Sequence, residues 1–282
     1  MGMLGRRHGA LLVLVLVLAL VGAGCGGNDE PQGQSGGQAA AGSGLTGLVT
    51  DGTLTVGTEL PAPPFWVGDD YESLTGGFEV DLSKEIAKRL NLANVKFVEM
   101  PFGGLVAGQK CPCDIDFSQV TITEDRAKVV DFTEPYFNAD QGVLVKKGTT
   151  VGSVDDAKKL RWGAQGNTTG ASYLSDTLKP ATEAKVYEKT VDMFAAFNAG
   201  QIDAAMLDTP ILLGAVKSNQ VKDAEVAGQF KTGEQYGGVL EKGSPNLAKF
   251  NEVIKALKTE GFISQLFDKY FGGDPTNVPV IS

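Results

Sequence analysis

The sequence predicts an α/β protein built from two open, mostly parallel sheets, each flanked by helices. From residue 52 onward, short apolar runs with strand character alternate with stretches of helical periodicity, and the alternation begins afresh near residue 150. The composition agrees: 282 residues, 42% hydrophobic and 21% charged, can bury one or two sizeable cores and do not describe a disordered chain.

The first half opens with GTLTVGTE (52–59), a strand. FEVDLSKEIAKRLNL places Phe78, Leu82, Ile86 and Leu90 at four-residue steps, which gives a helix one apolar face. NVKFVEM reads as a strand, residues 102–109 as a short helix and DIDFSQV as a buried strand. In TEDRAKVV, Thr123 caps a helical turn whose first positions are acidic, and QGVLVKK is the next strand. The second half runs SVDDAKKL helix, LRWGAQ strand, TTGASYLSDTL helix, AKVYEK strand, TVDMFAAFNAG helix closed by Gly200, IDAAML strand and TPILLGAVKS helix. The remainder holds the strand YGGVLEK and amphipathic helices at about 245–259 and 261–271. If these return to the first sheet, two segments cross between lobes, near 138–144 and 232–238. Lobe 1 is then 45–140 plus 238–282 and lobe 2 is 141–237, with a hinge beside a cleft of the kind that holds ligands.

Residues 1–24 read as a signal peptide. Arg6 and Arg7 precede an apolar run from Ala10 to Gly24, and about 15 residues is too short for a bilayer span that needs about 20. GRRHGALL lacks the rest of a twin-arginine pattern, so general secretion is expected. Cys25, behind LVGAG and ahead of a polar stretch, resembles a bacterial lipoprotein processing site, with Gly22 where such sites usually carry leucine. Lipidation of Cys25 is the expectation and ordinary secretion the alternative. Residues 25–44 are then a lipidated cysteine and a Gly/Gln/Ser-rich flexible tether, reaching roughly 25 Å as a random coil. The folded body is expected outside the cell, anchored by lipid to the outer face of the membrane.

Loss of the leader moves the formal charge from −9 to −11, which argues against nucleic acid as a partner, since phosphate binding relies on clustered Lys and Arg. The single histidine, His8, leaves with the leader. A chain without imidazole has no Ser-His or Cys-His couple and no histidine metal ligand, which removes most hydrolase mechanisms. Cys111 and Cys113, in KCPCD, enter an oxidising compartment and form a local disulfide or remain two thiols, with metal or redox chemistry as the third and least favoured reading. Closing so short a ring stabilises by only about 1.5 kcal/mol. Two sulfurs with no histidine make a poor zinc site, so the pair reads as a structural detail of a loop, and no metal or cofactor is expected.

The order GTE…PPF…GFEVDLSKEIAKRL, CDIDFSQVTITEDRAKVVDFTEPYF, GAQGNTTGASYL, AFNAGQIDAAMLD and YGGVLEKGSPNL…FNEVIKALKTEGFISQLFDKYFG resembles the extracytoplasmic solute-binding proteins of ABC importers for polar amino acids. The likeness runs from about Leu54 to Gly272. It implies a periplasmic-binding-protein-like fold of two lobes on a two-segment hinge, and a monomer without catalytic activity. It also implies a polar amino acid as ligand, such as glutamine, glutamate, cystine or a basic amino acid, delivered to an ABC transporter permease in the membrane.

The resemblance also implies site residues. The family's arginine in TITxxR clamps the ligand's α-carboxylate, and Arg126 stands at that place. A guanidinium fork matches a carboxylate where lysine would offer a point charge. Thr121 matches a hydroxyl or backbone position beside the ligand, and Gln119 contributes backbone or its amide. In GNTTG, Thr168 and Thr169 stand at a helix start where backbone N–H groups favour an anion, Thr169 matching the family's carboxylate cap. Asn167 replaces the usual glycine of that turn and tolerates positive φ. Asp208 matches the acid that pairs with the α-ammonium, and it also reads as a helix N-cap before Thr209 and Pro210. Glu59 stands where aspartate is common and faces either the amino group or a basic side chain. Ala62 stands near a position where relatives carry a sheltering aromatic; Phe65, Trp66 and Phe102 are the candidates to replace it, with core packing as the other reading of each. Two other functions remain open on this fold: a small-carboxylate dehydratase using Glu59, and a soluble sensing accessory.

Overall fold

The structure, a computed structural model, describes residues 42–68, 70–272 and 278–282. The signal peptide, Cys25 and most of the tether lie outside them. In chain order the elements are β1 (Thr53–Thr58), α1 (Phe78–Arg89), β2 (Asn94–Glu99), α2 (Phe102–Val106), β3 (Ile115–Asp116), α3 (Glu124–Ala127), β4 (Val130–Phe132), β5 (Phe137–Lys146), α4 (Val154–Ala157) and β6 (Trp162–Gln165). They continue with α5 (Thr169–Ser172), prolonged by a π-helical turn (Tyr173–Leu178), then β7 (Lys185–Tyr187), α6 (Thr190–Asn198), β8 (Ala204–Asp208), α7 (Thr209–Lys217), β9 (Ala224–Tyr236), β10 (Val239–Glu241), α8 (Leu247–Thr259) and α9 (Phe262–Phe271). Among the described residues, no helix is long and apolar enough to cross a membrane.

Two five-stranded sheets result, ordered β2-β1-β3-β10-β4 and β7-β6-β8-β5-β9. β1 pairs in parallel with β2 and β3, and β6 in parallel with β7 and β8. The other pairings are antiparallel, so the sheets are mixed rather than mostly parallel. β5 follows β4 and β10 follows β9 with no helix between them, so neither needs the helical crossover of a parallel neighbour. β5 and β8 are buried on both faces. Val143, Val145, Ala204 and Met206 enter one core with Trp162 and Leu174, while Leu144, Ala205 and Leu207 enter another with Phe194 and Phe197. That is the two-residue period of a strand between two helical layers. On the first sheet's side, Phe65 and Phe78 pack with Phe137 of β5, Tyr236 of β9 and the apolar faces of α1, α8 and α9.

Local chemistry sets the helix starts. Gly77 precedes α1 at φ 134°, where a Cβ would lie 2.1 Å from Phe65 O, so only glycine fits. Glu79 and Asp81 begin α1 while Lys88 and Arg89 end it, each sign matched to the helix dipole. Thr123, Ser153 and Thr168 each cap a short helix by accepting a backbone N–H, from Arg126, Asp156 and Ala171 respectively.

Besides the mixed pairing and the short β3, three features differ from the expectation. β9 is the longest strand, at 13 residues, and pairs with β5 from Phe137↔Tyr236 to Lys146↔Ala224. One antiparallel ribbon thus carries both crossings between the sheets. Its register shifts between Ala139 and Gln141, where Asp140 turns inward and accepts from Lys231 Nζ (2.8 Å), Thr232 N (2.9 Å) and Gly233 N (3.0 Å). Second, residues 278–282, assigned to lobe 1 by the sequence, leave it: Val280 bridges to Gln229 of β9, and Ile281 joins the core beside Trp162. An apolar Ile and free backbone N–H and C=O groups find their partners on the second sheet instead. Third, the tether stops short of residue 44: Ser43 and Leu45 are buried and Thr46 N donates to Asn246 Oδ1 at 3.0 Å.

Candidate functional site

The carboxyl ends of β1, β6 and β8 face one another across a cleft between the two sheets, the place where open α/β sheets put ligands. Glu59 follows β1, Gln165 ends β6 and Asp208 ends β8, and all three line the cleft. So do Phe102, Gln119, Thr121, Arg126, Thr168 and Thr169. The rims touch: Arg126 Nη2 donates to Asn167 O (2.8 Å) and Gln165 Nε2 donates to Glu59 Oε1 (3.2 Å). Pro63 lies so near α7 that a Cβ on Gly214 would come within 2.2 Å of its carbonyl oxygen.

Arg126 is 8% exposed and sits on α3, whose cap at Thr123 fixes the direction of the side chain. Its Nη1 donates to Thr121 O (2.7 Å) and its guanidinium lies 5.5 Å from the centre of the Phe102 ring. Burial lowers the guanidinium's pKa, and the charges of Asp208 and Glu234 oppose that fall. Asp208 is 5% exposed; it accepts from Tyr236 OH at Oδ2 (2.6 Å) and from Gln141 Nε2 at Oδ1 (2.5 Å). Burial and then the Glu234 carboxylate push its pKa up to about 7, while Tyr236, Gln141 and Arg126 pull it back. Asp208 does occupy the cap position of α7, but its side chain makes no capping bond there and is spent on the cleft.

The remaining positions divide by what their polar atoms already hold. Thr169 Oγ1 and Thr121 Oγ1 both donate to Glu234 Oε2, at 2.8 and 2.9 Å, so hydroxyls from the two sides of the cleft meet on a single carboxylate oxygen. Glu59 accepts from Phe102 N (3.0 Å) besides Gln165. Thr168 reaches the cleft, but its hydroxyl caps α5 and donates to Gln165 O (2.7 Å). Gln119 stands at φ 50°, and its amide and backbone N–H both donate to Glu79. Glu79 is fully buried and also takes Trp66 Nε1 and Tyr136 OH. Burial raises its carboxyl to about 7 against the pull of the Tyr136, Gln119 and Trp66 donors. Asn167 adopts the left-handed conformation expected of it, at φ 62°.

Phe65 is a correction. It does not reach the cleft: it is fully buried in the aromatic core of the first sheet, with ring centroids 5.0 Å from Phe137, 5.4 Å from Phe271 and 5.8 Å from Phe78. Trp66 is equally buried and donates to Glu79 and Phe117 O. Of the three aromatic candidates only Phe102 borders the cleft. The sequence reading missed Gln141, Glu234, Tyr236 and Gln165. Glu234 and Tyr236 are two apart in β9, and that alternation within GEQY was the available signal.

The chain belongs to the bacterial extracellular solute-binding proteins, family 3, whose family model matches residues 54–273. It is 34% identical over 209 residues to the ABC transporter glutamine-binding protein GlnH of Bacillus subtilis, covering 71% of this chain and 74% of that protein. It is 32% identical over 229 residues to the L-cystine-binding protein TcyJ of Escherichia coli K12, covering 80% and 85%. Among solved structures it resembles an ancestral arginine-binding protein bound to arginine, with a TM-score of 0.70, 36% identity and coverage of 78% and 99%.

Proposed function

We propose that this protein captures a polar or cationic amino acid between its two sheets and presents the closed complex to an ABC importer's permease. The observation that carries the reading is the pair of opposite charges at one cleft: Arg126 from the first sheet's side and Asp208 from the second's, each buried and each altering the other's titration. A zwitterion satisfies both at once. Arg126 takes the α-carboxylate, with Thr121, Thr169 and the start of α5 around it, and Asp208 takes the α-ammonium. Glu59 and Glu234 add two further carboxylates near the cleft, which favours a ligand whose side chain donates hydrogen bonds or carries positive charge. The binding partners named for the relatives, glutamine, cystine and arginine, fall in or next to that class. Gln119 contributes its backbone carbonyl, its amide and backbone N–H being held by Glu79, and Phe102 shelters the ligand while holding Arg126 from the other side.

Export by the leader, lipidation at Cys25, anchoring to the outer membrane face and a monomeric state complete the proposal. No turnover is expected, because Glu59 is engaged by Phe102 N and Gln165 and is the one residue nominated for acid–base work. A thermal-shift screen of the purified protein against the common amino acids, cystine, dicarboxylates and polyamines tests the reading. A ligand at about 1,000 times its Kd adds about 4 kcal/mol, or roughly 8–16 °C for a body of this size. Shifts confined to compounds without an α-carboxylate would contradict it, and loss of ligand during incubation would favour the dehydratase alternative.

A further inference from the structure

The loop before β3 holds a cluster that the ligand cleft does not use. Cys111 and Cys113 form a disulfide with Cα atoms 5.1 Å apart, and both residues line a surface hollow beside Lys110, Val129 and Glu241. Against them lies Asp116 of β3, fully buried, with neither carboxyl oxygen hydrogen-bonded among the described residues. A carboxyl oxygen of Asp116 and the two sulfurs all lie within 4.8 Å of one another. They converge over Gly57 of β1, where a Cβ would stand 2.5 Å from Asp116 Oδ2, 2.9 Å from Cys111 Sγ and 3.0 Å from Cys113 Sγ. The glycine therefore makes the space in which the three groups meet. A buried carboxyl whose oxygens make no well-formed hydrogen bond is costly, and a disulfide that only staples a loop has no use for one.

We propose that Cys111, Cys113 and Asp116 form a thiol–disulfide exchange centre, in which the Asp116 carboxyl gives its proton to the departing sulfur when a small thiol reduces the disulfide. A thiolate of the reductant attacks one sulfur, the S–S bond breaks, and its electron pair passes to the other sulfur, which takes the Asp116 proton. A second reductant thiolate attacks the mixed disulfide and releases the first cysteine, which is protonated from solvent. Two reductant thiols become one disulfide, the cysteine pair gains two electrons and two protons, and Asp116 recovers its proton from water. Reoxidation runs the same steps backwards, with Asp116 as base.

Burial favours the protonated form: it pushes the Asp116 carboxyl well above the usual range, the Ser118 hydroxyl opposing and the charges of Glu79 and Glu59 adding to the rise. Tyr71 and Tyr136 are the other titratable groups that feel Asp116. Because so short a ring removes little chain entropy from the unfolded state, the fold survives its opening. The centre is independent of the ligand proposed above.

The test is the rate at which dithiothreitol reduces the purified protein between pH 6 and pH 9, read by mass after alkylation, for the wild type and Asp116→Asn. In Asp116→Asn the rate constant per reductant thiolate should be about tenfold or more lower than in the wild type, within the range for general acid assistance. Melting curves of oxidised and reduced protein should agree within a few degrees. Equal thiolate-corrected rates in the two proteins, or reduction that proceeds only when urea unfolds the chain, would overturn the proposal. Should the Asn variant fail to fold, a wild-type rate constant per reductant thiolate no higher than that of oxidised glutathione would overturn it as well.

Discussion

Asp208 is the residue through which pH enters the proposed binding step. Its carboxyl is raised to about 7 in the ligand-free protein, chiefly by burial and by the Glu234 charge, whereas an α-ammonium partner needs it ionised. Below about pH 7 the ligand must displace a proton, so affinity should fall by up to about tenfold per unit of acidification and level off above pH 7.5. Isothermal calorimetry from pH 5.5 to 8.5 checks this, with proton release visible in buffers of different ionisation enthalpy. Asp208→Asn should weaken binding at pH 8 and remove the slope. At this scale the sequence was readable where a short motif fixes geometry. TITEDR places a capping threonine, a buried guanidinium and a cleft-facing Thr121 within six residues, and GNTTG supplies both the αL turn and the helix start. It was unreadable where a role depends on a distant strand. Glu234 lies between Gly233 and Gln235 in what looks like a polar turn, and only pairing with β5 brings it to Thr121, Thr169 and Gln141. Phe65 failed for the opposite reason: proximity in sequence to Glu59 did not tell which way the chain turned before Gly77.

Among elements, the β5–β9 ribbon governs how the two sheets are joined. Asp140 pins its register shift with three acceptor contacts, two of them to backbone N–H groups. Asp140→Ala should therefore cost about 1–3 kcal/mol, a drop of a few to about 12 °C in Tm for a body of this size. Asp140→Asn, which keeps an acceptor for Thr232 and Gly233 but loses the Lys231 charge pair, should cost less; equal losses in differential scanning calorimetry would place the effect in the ion pair instead. The helices and the short parallel strands were legible because their periodicities are local. β9 was not, since AEVAGQFKTGEQY mixes two glycines with Lys, Thr and Glu and has no sustained apolar face. Its stability comes from backbone pairing along β5, which no local pattern records. β3 was overread for a related reason: DIDFSQV is apolar enough for a full strand, but the chain leaves the ladder after Asp116 and turns at Gln119 to reach Glu79 and the cleft.

For the whole molecule, the proposed function depends on contacts that exist only when the two sheets share one ligand. Arg126 and Asp208 belong to different halves, and so do Thr121 and Thr169. A ligand that touches all four binds the closed arrangement far better than an open one, which is the differential affinity that a population shift requires. The permease would then read the closed surface rather than the amino acid itself. The most direct measurement is calorimetric binding of the amino acid found by the screen, and of its decarboxylated amine, to the wild type and to Arg126→Ala. Loss of the carboxylate should weaken binding to the wild type by about 2–5 kcal/mol, roughly 30-fold to several-thousand-fold, and Arg126→Ala should lose a similar amount for the amino acid. The two losses should not add, so the amine should bind both proteins about equally. If the amine bound the wild type as tightly as the amino acid, or if Arg126→Ala kept full affinity, capture of an α-carboxylate by Arg126 would be wrong.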